Sequence, residues 1–112
     1  MSKLQSFVEI DGDLVAEWEA FHDVFAAKFG FPAFYGRNDN AWIDCMTSVD
    51  SPDDGLSEVH VPRGQIMTLQ IANAAKLKSS NRDIWDALNE MTAFVNWRRI
   101  ERGDEPVLAL SY

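Results

Sequence analysis

The sequence predicts a small two-layer α/β domain built on a parallel sheet. Three short runs rich in β-formers, at residues 6–10, 66–72 and 107–112, are separated by stretches with helical periodicity. The order reads strand, helix, helix, strand, helix, strand, and strands separated by helices pair in parallel because the helices supply the crossovers. Right-handed crossovers then lay the helices on one face of a sheet that grows progressively.

Taken in order, the first strand is SFVEI, closed by the turn pair Asp11-Gly12. Asp13 is placed to cap a helix whose stripe runs through Leu14, Trp18, Phe21, Phe25 and Phe29, with Gly30 just past its end. His22 and Asp23 fall off this stripe and are read as solvated. Phe31-Pro32 turns the chain, and Tyr35-Gly36-Arg37 leads to Asn38, a good N-cap, with Asp39 in the first turn of a second helix. At 100° per residue, Ala41, Trp42, Cys45, Met46 and Val49 form the buried side. Asn40, Ile43, Asp44 and Thr47 form the outward side, where an apolar Ile beside an acid hints at an interface.

Residues 50–55, DSPDDG, are a loop; Pro52 in the third position and Val61 in the twelfth exclude a calcium loop. Residues 58–61 read as a short edge strand or loop, and Pro62-Arg63-Gly64 turns again. Ser80 and Asp83 fit a capping box opening a third helix, with Ile84, Leu88, Met91 and Val95 as its buried stripe and Trp85, Ala87 and Phe94 flanking. Arg98, Arg99 and Arg102 suit its C-terminal end, Gly103 stops it, and Pro106 prevents its return before the last strand.

At 112 residues the chain is read as one domain, 1–112, with 46% hydrophobic and 12% aromatic residues to fill a single core. A net charge of −8 disfavours direct nucleic-acid binding and would draw in a basic partner. Cys45, alone in the sequence, excludes an internal disulfide and is read as a small core residue. No apolar run reaches the roughly 20 residues of a membrane span, and MSKLQSFVEI lacks a signal peptide's apolar region, so the expected location is cytoplasmic. No phosphate-binding glycine pattern implies a cofactor. His22, His60, Asp44 and Glu58 offer acid-base chemistry, but no spacing joins them into a constellation, so the chain is not read as an enzyme.

Residues 31–49, FPAFYGRNDNAWIDCMTSV, carry a more specific signal. Pro32-Ala33-Phe34-Tyr35-Gly36-Arg37-Asn38, followed by Ala41 and Asp44-Cys45-Met46, resembles the barstar family of ribonuclease inhibitors. Elsewhere the resemblance rests on the element order, the helix around Phe94 and the terminal strand ending in Leu110-Ser111. It implies a three-stranded parallel sheet in sequence order 1-2-3 with helices packed on it.

The resemblance also implies a function. The family's acidic second helix and preceding turn plug the active site of a small guanyl-specific ribonuclease, and the carboxylate at the position of Asp44 stands in for phosphate. Phe34, Tyr35 and Gly36 would form the contacting turn, Asn38 and Asp39 the helix entrance, and Asn40, Ile43, Asp44 and Thr47 the contacting face. Asn96, on the third predicted helix, stands where the type member has a contacting glutamate; Asn40 replaces an acid, Ile43 a tryptophan. The segment 50–64 also looks longer than in the type member. The implied partner is a basic, barnase-like ribonuclease, with no cofactor, metal or membrane. The alternative is a protein-binding or regulatory module of the same fold without inhibitor activity.

Overall fold

The computed structural model describes residues 3–112. Its elements are β1 (Lys3–Leu4), β2 (Phe7–Asp11), α1 (Trp18–Phe29), α2 (Asp39–Thr47), β3 (Val59–His60), β4 (Met67–Ala72), α3 (Ala74–Ser80), α4 (Arg82–Glu101) and β5 (Leu108–Ser111). The main sheet is parallel in the order β2-β4-β5, with Phe7 opposite Thr68 and Met67 opposite Leu108. Strand alternation makes it one-sided: Val8, Ile10, Met67, Leu69, Ile71 and Leu108 are buried, while Glu9, Gln70 and Ser111 face outward.

The expectation of a single three-stranded sheet needs correction. A separate two-stranded parallel pair joins β1 to β3, with Lys3 opposite Val59 and Leu4 opposite His60. Its cause is backbone satisfaction: Lys3 donates to the Glu58 carbonyl at 2.7 Å and Gln5 to that of His60 at 2.8 Å.

Two helix starts and one additional helix also differ from expectation. The first helix begins at Trp18, because residues Gly12–Leu14 form a 3-10 turn held by the Asp11 carboxylate, which accepts from the Asp13 amide. Leu14 is therefore exposed, and Val15 fills the core position. Gly12 is required there, since a Cβ would lie 2.7 Å from the Ala72 carbonyl oxygen. Helix α3 is additional to the predicted elements: one buried residue, Leu77, leaves no periodic stripe to read. Ser80 ends α3, and Asn81 caps α4 instead, accepting from the Ile84 amide at 3.2 Å and donating to the Ala16 carbonyl at 2.9 Å.

Helix α1 buries Phe21, Phe25 and Phe29 against α2, where Trp42 meets Phe25 edge-on at 5.5 Å. Helix α4 buries the predicted Ile84, Leu88, Met91 and Val95 in the same core. Helix α2 is thus packed by α1 on one side and α4 on another.

Candidate functional site

The turn before α2 is built by side chains that reach back to α1. Tyr35 donates its amide to the Pro32 carbonyl at 2.9 Å, closing the turn. Arg37, held at φ 53°, pairs with Asp23 at 2.8 Å and donates to the Glu19 carbonyl at 3.1 Å. Asn38 caps α2 as expected, accepting from the Ala41 amide at 2.8 Å.

His22 is not solvated: it is 5% exposed, and its Nδ1 lies 2.6 Å from the Tyr35 hydroxyl. The Trp18 and Tyr35 rings cover it, at centroid distances of 5.9 and 5.6 Å. A wheel drawn for α1 alone contains neither the turn that folds over it nor this hydrogen bond. Desolvation, followed by the charge of Arg37, lowers the His22 pKa, so the buried imidazole favours its neutral form. Burial likewise pushes the Tyr35 hydroxyl up.

The rear of α2 is anchored by Arg99. Its guanidinium grips both carboxylate oxygens of Asp50, at 3.0 and 2.9 Å, and donates to the Thr47 carbonyl at 2.8 Å. The outward face is consequently narrower than the sequence suggests. Asn40 and Asp44 are exposed, but Ile43 and Thr47 are buried, which corrects the expectation that all four face outward. Thr47 turns its hydroxyl back to the Ile43 carbonyl at 2.6 Å, and α4 covers that side.

Around the exposed strip lie two depressions. Asp39 and Asn40 border an open groove with Trp18, Glu19 and His22. Phe34, Tyr35, Gly36, Asp44 and Thr47 surround a cavity of about 380 Å³, joined by Leu56, Arg98 and Arg102. Asp44 pairs there with Arg98 at 2.9 Å, both side chains half-exposed, and Phe34 projects at 76% exposure. Cys45 also borders this cavity, but its thiol is pushed up to about 11 by burial, then by the Asp44 charge, which suits a packing role.

Family comparison matches residues 5–110 to the family described as Barstar (barnase inhibitor). The chain belongs to the barstar family. Its α/β architecture, with parallel strands and four helices among the described residues, agrees with that membership. A search of curated proteins finds no match.

Of the residues that the barstar resemblance singles out, the structure gathers Phe34, Tyr35, Gly36, Asp44 and Thr47 at one cavity and Asn38, Asp39 and Asn40 at the adjoining groove. Asn96 borders neither: its side-chain amide donates to the Leu108 carbonyl at 2.8 Å and accepts from the Val107 and Leu108 amides. Sequence reasoning missed Arg98 and Arg102 because their i, i+4 spacing at a helix end reads as dipole complement. Only the packing of α4 beside α2 shows that they share a cavity with Asp44.

Proposed function

We propose that this chain inhibits a small basic ribonuclease by inserting the Asp44 face of α2, with the Phe34–Gly36 turn, into its active site. The observation that carries this reading is an exposed carboxylate on a helix secured at both ends, beside a projecting aromatic ring. A nuclease must present Arg, Lys or His⁺ to hold phosphate, and a carboxylate fixed on a helix satisfies those donors through charge-assisted hydrogen bonds. Helix rigidity limits the ordering cost of association. The net charge of −8 adds long-range attraction to a basic target. In this reading Asp39 and Asn40 contact the rim, and Ile43 and Thr47 shape α2 from behind. The proposed setting is the cytoplasm, as a single domain, where such an inhibitor would protect the cell that makes the ribonuclease.

The test is inhibition and binding across a panel of small secreted guanyl-specific ribonucleases, with Asp44→Ala as control. Inhibition by the wild type, lost in the variant and weakened by salt, is the expected result. A wild-type chain inactive against the whole panel sinks the proposal.

A second reading, a protein-binding module with another partner, is favoured by one observation. Phe94, Trp97 and Ile100 stand on α4 at 45%, 56% and 55% exposure, an apolar stripe that the ribonuclease reading does not use. Loss of a non-nuclease partner on Trp97→Ser, with Asp44→Ala neutral, would select it.

A further inference from the structure

The cavity beside α2 is not a purely acidic site. Arg98, in the last turn of α4, and Arg102, its C-cap, stand four residues apart and both border it, together with Asp44. Each guanidinium already has a carboxylate partner, Asp44 at 2.9 Å for Arg98 and Asp104 at 2.6 Å for Arg102. One carboxylate, Asp44, and two guanidiniums, Arg98 and Arg102, therefore share the mouth.

A partner carrying only cations gains Asp44 but is opposed by the guanidinium beside it. Half-exposed ion pairs of this kind contribute little to stability, so they exchange readily for intermolecular ones. A bare phosphate is a poorer occupant, because it would meet Asp44 as well as the arginines, within a chain of net charge −8. A protein surface that sets a carboxylate next to its own cation satisfies all these groups at once. Phe34, projecting beside the mouth, can cover such a contact and exclude water from it.

We propose that Arg98 and Arg102 form a cationic half-site that receives a carboxylate of the partner protein, beside the partner cation that pairs with Asp44. This rests on the ribonuclease-inhibitor reading and narrows it: the target bears an acid adjacent to its phosphate-binding cations. The arginines thereby select among basic nucleases, rejecting those with an all-cation site.

The experiment measures inhibition constants for wild type, Asp44→Ala, Arg98→Gln and Arg102→Gln on the same ribonuclease panel, with thermal melts to check folding. Arg102 does not touch Asp44, so Arg102→Gln separates a partner contact from a bracing role. The expected result is that both arginine variants melt like wild type and each weakens inhibition of the best target by about tenfold. Wild-type or tighter inhibition by both, with Asp44→Ala still inactive, overturns the half-site and leaves the inhibitor reading standing. Loss confined to Arg98→Gln assigns Arg98 to bracing Asp44 and likewise overturns the half-site. A wild-type chain that inhibits nothing overturns both.

Discussion

Asn96 pairs with the backbone of Leu108 as a further strand would, donating to its carbonyl at 2.8 Å and accepting from its amide at 3.0 Å. The same oxygen also accepts from the Val107 amide at 2.9 Å, so one side chain fixes the start of β5. Asn96→Ala is expected to destabilise the fold by about 2–3 kcal/mol, because partly buried backbone groups lose their partner. Urea denaturation measures this loss. On the proposed function, ribonuclease inhibition per folded molecule should stay unchanged, since Asn96 borders neither depression; a selective loss of inhibition would return it to the contact set.

The buried pair of Asp50 and Arg99 supports the rear of α2. Removing one member strands the other, so Asp50→Asn or Arg99→Met should each cost about 3–5 kcal/mol in urea denaturation. Burial alone pushes the Asp50 carboxyl up, but hydrogen bonds and charge from Arg99, with Ser51 and Arg63, outweigh it and hold the pKa below 3.8. Its stabilising contribution is therefore complete above 3.8 and disappears as pH falls through the lower folded value. Asp50→Asn should flatten that part of the acid-unfolding curve.

His22 gives pH sensitivity in a different window. Burial first, and Arg37 second, lower its pKa below 6.5, and desolvation also lowers that of buried His60. As pH drops from 6.5 toward these lower values, the unfolded chain takes up protons that the folded chain resists. Stability should thus decline below pH 6.5, before the carboxylates titrate. His22→Gln should reduce the slope. Tyr35→Phe, which leaves the His22 nitrogen without its 2.6 Å partner, should cost about 1–3 kcal/mol by thermal or urea unfolding.

Asn40 faces outward one turn before Asp44. On the proposed function, Asn40→Asp should raise the association rate with a basic ribonuclease a few-fold at low ionic strength. Stopped-flow mixing should show the gain shrinking near 0.15 M salt, where charges are screened over about 8 Å. An unchanged rate would place Asn40 outside the encounter surface.

Much of this fold follows from local pattern. The stripe Ile84, Leu88, Met91 and Val95 and the Asn38 cap are stated by the residues themselves, because spacing and short-range hydrogen bonds decide them. What local pattern lacks is the neighbour. Ile43 and Thr47 sit on an outward arc until α4 arrives, and His22 is off-stripe until the Tyr35 turn covers it. The Asp44–Arg98 pair joins residues 54 positions apart, so neither helix alone predicts the other's charge beside it. Helix α3 escaped for the opposite reason, being too short to repeat a period.

Among the described residues the main sheet contains no hairpin: β2 pairs with β4 and β4 with β5, so each ladder joins segments separated by whole helices. Non-local pairing of this sort makes folding slow relative to helical domains of similar size. It also sets an order of events during synthesis: Asp44 cannot meet Arg98, nor Asp50 meet Arg99, until α4 has left the ribosome. A chain interrupted before residue 99 would carry the whole resemblance segment yet lack the clamp that holds it in shape. On the proposed function, a product that stops before Arg99 would therefore be inert, because the Asp44 face takes its shape only once α4 is present.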